Sequence, residues 1–244
     1  MRKSSILFIL LIISISISAF ELNTLIDIPT AGILQQGEAE ITAKIYKDNG
    51  LLIGTKVGLF PRFMFGVNYG AEQIVGNENP NWHDRVEFNA KVRLLDENNQ
   101  LPAIALGYDS QGHGKYNKSD KRYDIKSKGV YLTASKNFFL FGNLGVHGGI
   151  NYSLETEDKD EEPNLFIGFD KSVGDMIVIL AEYDSGWNDN EASLIKGRGF
   201  FNASVDLHFT EALILKVSFY DLLLNHPDTQ GCDRSITLIY NMTF

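Results

Sequence analysis

Cysteine is almost absent from this 244-residue chain, and Cys232 is the only one. A disulfide framework and a cysteine-based zinc cluster are thereby excluded. So is a lipid anchor that needs a cysteine at a processed N-terminus. Beyond the first twenty residues there is no apolar run of the roughly 20 residues that a spanning helix needs, so a multi-helix membrane protein is excluded. Hydrophobic residues make up 44% and charged residues 22%, which rules out a disordered or collagen-like chain. Basic residues are outnumbered, with a formal net charge of −9, and a general nucleic-acid binder is not expected. Neither HExxH nor a zinc-type histidine pair occurs, and GxSxG is missing. No cofactor is implied, and no metal site.

What is present begins with a processing signal. Arg2 and Lys3 precede the apolar run Ile6 to Ile13, and small residues lead to Ala19. Basic, apolar, then small is the order of a secretory signal peptide. The expected division is a signal peptide over 1–19, a periplasmic N-terminal lead-in over 20–37, and a barrel over 38–244.

From residue 38 onward the pattern has a period of two. Ile41, Ala43 and Ile45 alternate with Glu40, Thr42 and Lys44, and Phe88, Ala90 and Val92 with Glu87, Asn89, Lys91 and Arg93. Such alternation makes strands with two unlike faces. Twelve segments follow it: 38–46, 51–60, 63–72, 85–95, 101–109, 129–138, 143–154, 164–171, 176–185, 199–209, 212–222 and 235–244. After Lys47 to Gly50, an Asn-Gly turn, short and long links alternate. The short ones include Pro61-Arg62 and Thr210-Glu211, and the long ones Ser110 to Lys128 and Gly186 to Arg198.

Lipid offers no hydrogen bonds to a sheet edge, so a spanning sheet must close on itself. Short turns on one side and long loops on the other are the layout of an outer-membrane barrel. The expectation is an all-β, closed, antiparallel, up-and-down transmembrane barrel of about twelve strands in the outer membrane, with both ends periplasmic. A secreted β-sandwich also alternates, but needs neither strands this long nor an even meander.

The final strand carries Ile236, Leu238, Tyr240, Met242 and Phe244 on one face. Tyr240, Met242 and Phe244 resemble the C-terminal assembly signal of bacterial outer-membrane barrels, which implies the barrel-insertion machinery as a partner beside outer-membrane lipid and lipopolysaccharide. A second resemblance rests on three places. They are Ile28-Pro29-Thr30-Ala31-Gly32, then Leu101 to Tyr108 with Gly112-His113-Gly114 and Tyr131 to Lys136, and finally Leu180-Ala181-Glu182-Tyr183-Asp184. Over residues 26–186 the chain resembles the YjbH-type outer-membrane family linked to exopolysaccharide export. The resemblance implies a polysaccharide-associated role and brings no catalytic residues.

The candidate site is the lumen. Its basic residues are Lys44, Lys56, Lys91 and Arg93, and its acidic ones Asp170, Glu182, Asp184 and Asp206. The two arcs face each other across the barrel. If the lumen is wet, they set a transverse field that orients small polar solutes or gives ion selectivity. If it is dry, they pair and plug it. The histidines His83, His113, His147, His208 and His226 are read as packing groups, and the acidic run Glu155 to Glu162 as a solvated loop. Three functions follow: a narrow channel or export barrel for small polar solutes or saccharide, a non-conducting structural barrel, and, more remotely, a lipid-acting enzyme. No catalytic residue is assigned, and an enzyme is not expected.

Overall fold

The computed structural model describes residues 20–74, 76, 79–190, 199–225 and 232–244. The expected signal peptide and His226 lie outside the described residues. Among the described residues fifteen strands run in chain order. They are β1 (Glu38–Tyr46), β2 (Gly50–Phe60), β3 (Phe63–Glu72), β4 (Asn81–Trp82), β5 (Glu87–Leu95), β6 (Ala103–Asp109), β7 (His113–Asn117), β8 (Arg122–Ile125), β9 (Gly129–Phe139), β10 (Asn143–Tyr152), β11 (Asn164–Val173), β12 (Ile177–Asp184), β13 (Phe200–His208), β14 (Leu213–Tyr220) and β15 (Asp233–Thr243).

Twelve of these close an antiparallel ring. The order is β1-β2-β3-β5-β6-β9-β10-β11-β12-β13-β14-β15, and β15 returns to β1 with Glu38 opposite Thr243 and Ile45 opposite Ile236. Neighbours in the ring are neighbours in sequence, so the meander is up-and-down. β4 extends β3 at the long-loop end, and β7–β8 form a hairpin inside the 110–128 loop. Among the described residues there is no α-helix; one 3-10 turn, Trp187–Asp189, follows β12.

The two faces differ as the period of two requires. Ile53, Phe65, Phe88, Leu132, Ile167 and Leu238 are exposed on the outside, where lipid is the solvent. Glu87, Asn89 and Lys91 of the same β5 are buried on the inside. The usual soluble-protein order is inverted, because a hydrocarbon surround rewards apolar atoms outside and leaves polar atoms the interior.

The interior is not left to side chains alone. Residues 20–37, expected as a periplasmic lead-in, run into the barrel, where Asn23, Leu25, Ile26 and Ile28 to Leu34 are buried. The segment reverses at a tight turn, with Thr24 bridged to Pro29 and the Leu25 amide donating to the Ile28 carbonyl. Its tip, Leu25, Ile26 and Ile28, packs on Phe166, Leu180 and Tyr220. Its return limb, Ile33 and Leu34, packs on Met64. The physical reason is twofold. Five large aliphatic side chains between residues 25 and 34 gain by leaving water, and a ring of buried charges gains partners.

Candidate functional site

Most of the candidate wall charges meet the inserted segment or another charged group of the wall. On β5, the Lys91 ammonium donates to the carbonyls of Asn23 (2.5 Å), Thr30 (2.9 Å) and Gly32 (3.0 Å). Two residues along, and so on the same face, Arg93 donates to the Ala31 carbonyl and pairs with Glu21. On β2, Lys56 pairs with Glu40 at 3.0 Å and donates to Asn23 Oδ1 at 2.6 Å. Lys44 of β1 lies 4.8 Å over the Tyr220 ring.

The acidic wall grips the turn. Glu182 of β12 accepts the amides of Ile26, Asp27 and Ile28 at 2.9–3.1 Å, and the Asn202 side chain at 2.7 Å. Asp184 pairs with Lys128 at 2.6 Å, and Lys128 also reaches Asp27 at 3.1 Å. Asp206 lies 3.5 Å from Lys216, whose ammonium donates to the Leu25 carbonyl. The eight candidate lumen residues are therefore not facing one another across solvent. Most of what lies between them is polypeptide, bound by charge-assisted hydrogen bonds of the stronger class.

Two wall positions are shaped to the segment. A Cβ at Gly168 would overlap Leu25 Cδ2, and one at Gly58 would overlap the Gln35 carbonyl. Glycine at these positions allows the segment to lie against the wall.

Asp170 belongs to a different group. It meets His147 Nε2 at 2.8 Å, and His147 Nδ1 meets Ser135 Oγ at 2.8 Å. His147 and Ser135 are register partners on β10 and β9. Ser135 Oγ also accepts the Ala31 amide at 2.8 Å. These three side chains and the first residues of the inserted segment border a cavity of about 370 Å³ at the short-turn end, between segment and wall.

The long-loop end is closed by the β7–β8 hairpin. His113, just past β6, stacks on Tyr220 of β14 with centroids 4.0 Å apart. β6 and β14 are six places apart in a ring of twelve, so the hairpin spans the mouth. Buried charges hold it. Glu87 accepts Tyr123 Oη (2.8 Å) and Ser110 Oγ, and it pairs with Arg85. Arg122 pairs with Asp158 and Asp189, and Lys126 with Asp158 at 2.8 Å. Burial raises the Asp158 carboxyl, but the hydrogen bonds and charges of Lys126 and Arg122 outweigh it and hold Asp158 below 3.8. Burial prevails at Glu155 and Asp189, which are pushed upward. The acidic run from Glu155 is thus partly an internal strut, since Glu155, Asp158 and Asp160 are buried or paired.

Sequence reasoning missed the partner of the lumen charges and the closing hairpin. The one signal for the first was the unexplained apolar content of residues 25–34. Tyr240 and Met242 lie on the exposed face at the end of β15, and Phe244, one residue beyond it, is exposed too. Cys232 is a free, half-buried thiol. Among the described residues no group of three or more potential ligands is placed to hold a metal.

The sequence profile of the family described as exopolysaccharide biosynthesis protein YbjH (YjbH) matches residues 16–217. The chain belongs to that family. No curated protein matches the sequence. Among solved structures, this YjbH-family barrel is similar to the KdgM porin, with 10% identity and a TM-score of 0.51 over 85% of this chain and 99% of that one. It is also similar to the outer membrane protein Omp33 of Acinetobacter baumannii, at 12% identity, TM-score 0.45, and 86% and 98% coverage. The first likeness agrees with the closed ring. With its lipid-facing outer surface, the protein is an outer-membrane β-barrel.

Proposed function

We propose that this YjbH-family protein is a narrow passage for small polar solutes or saccharide, held shut by its own N-terminal segment. The observation that carries the reading is the way the segment is held. Lys91 and Glu182 bind main-chain carbonyls and amides, so the wall is built to ligate a polar chain. A wall meant only to be filled needs no such groups, since buried charges gain little over well-packed apolar side chains. Withdrawing the segment would leave the two charged arcs facing water. Catalysis is not part of the proposal.

Planar-bilayer recording tests it. The intact protein should show a low open probability, and a variant lacking residues 23–34 should conduct steadily. In that open form, changing Lys91 and Arg93 to Glu should shift selectivity toward cations. If a correctly folded deletion variant carries no current, the alternative of a non-conducting structural barrel replaces this reading.

A further inference from the structure

We infer that the cavity at the short-turn end is a binding site for an uncharged saccharide unit, and that it discriminates against uronate-type acidic sugars. The inference rests on the reading of the barrel as a solute passage and assigns its entry site. The cavity, about 370 Å³, falls within the size range of small-molecule pockets. It lies where the inserted segment meets the wall.

Its lining is polar in a particular way. Asp170 uses Oδ1 on His147, while the Asn143 side chain makes no hydrogen bond among the described residues. Such groups are satisfied by water or by a ligand that imitates water. A sugar hydroxyl both donates and accepts, so it replaces an ordered water without stranding either kind of group. An apolar guest of the same size would strand both, at a cost in affinity.

Charge sets the class further. Three carboxylates, from Glu21, Glu97 and Asp170, border the cavity beside one guanidinium, Arg93, and one imidazole, His147, which is engaged by Asp170; Lys136, outside the lining, lies 3.5 Å from Glu97. Arg93 is already paired with Glu21 and bound to the Ala31 carbonyl. Asn137 donates twice to Glu97, at 2.9 and 2.7 Å, which fixes that carboxylate in place. Among the lining residues no cation without a carboxylate partner remains to receive a uronate, and its carboxylate would approach like charge in a partly desolvated space.

The test is equilibrium binding to the full chain, refolded in a zwitterionic detergent without sugar headgroups, by calorimetry with a neutral glucose trisaccharide and with trigalacturonate. The neutral sugar should bind, and trigalacturonate at least about tenfold more weakly, the equivalent of one modest like-charge contact. Asp170→Asn combined with Glu97→Gln should narrow that gap. Asn143→Trp, a rim substitution on an exposed residue, should abolish binding of the neutral sugar, and Ala103→Trp should do so from β6, two strands away along the same wall. Equal or tighter binding of trigalacturonate, no binding of the neutral sugar, or binding that survives both tryptophan variants overturns the assignment. These readouts do not involve current, so failure here is distinct from failure of the passage itself.

Discussion

At the scale of single residues, the lumen depends on a few ionised groups with several partners each. Lys91→Met would leave the carbonyls of Asn23, Thr30 and Gly32 without their donor. One charge-assisted hydrogen bond contributes about 1.5–3 kcal/mol, so the segment should be loosened by at least about 2 kcal/mol. In single-channel records that is a rise of roughly thirtyfold in the open-to-closed ratio, while Lys91→Arg should stay near wild type. Gly168→Val tests the same state sterically, because the new side chain competes with Leu25 for one space. It should raise open probability with every hydrogen bond donor intact. The inward placement of Lys91, Glu182 and Asp206 was legible, because a period of two assigns faces without knowledge of partners. The partners were not legible, since residues 20–34 follow no period and their contacts lie up to 191 residues away in sequence, as from Lys216 to Leu25.

At the scale of elements, the twelve barrel strands were legible to within two residues at most ends, while β7 and β8 were not. They have five and four residues, too few for alternation to show, and Gly112-His113-Gly114 reads as loop. What holds the hairpin in place is long-range pairing, above all Arg122 and Lys126 on Asp158. Because the folded Asp158 pKa lies below 3.8, its contribution is complete above that value and is lost as pH falls through the lower, folded one. Glu155 and Asp189 are shifted the other way, so their protonation on acidification does not weaken the hairpin in this manner. Limited pepsin digestion between pH 4 and pH 2 should therefore show cleavage within 110–128 appearing at the acid end. Asp158→Asn should abolish that pH step and expose the hairpin at both values.

At the scale of the whole molecule, the barrel should behave as a single cooperative unit sealed by the β1–β15 seam. Unheated samples in SDS should migrate apart from boiled ones. Phe244 donates its amide to the Gly37 carbonyl, and its exposed side chain continues the row of Tyr240 and Met242. Removing Phe244, or changing Tyr240 and Phe244 to Asp, should lower the folded fraction in cells. The lipid-face cost of Asp is below the roughly 2–4 kcal/mol of a mid-membrane Arg or Lys. Normal refolding of the Asp variant into detergent beside poor insertion in cells would therefore locate the defect in recognition by the insertion machinery. The closed ring was legible as a whole because short and long links alternate, a property of the entire chain that no single strand carries.

Two of the strongest grips on the inserted segment take its backbone. Lys91 and Glu182 between them take three carbonyls and three amides, and neither reads a side chain. These two grips therefore distinguish chain direction and girth but not sequence, which is read elsewhere, at Asn23 by Lys56 and at Asp27 by Lys128. A barrel emptied of residues 23–34 should accept a synthetic peptide of that stretch with Leu25 and Ile26 exchanged for other aliphatic residues. The same peptide in mirror-image form, with its carbonyls and amides pointing the wrong way, should be refused.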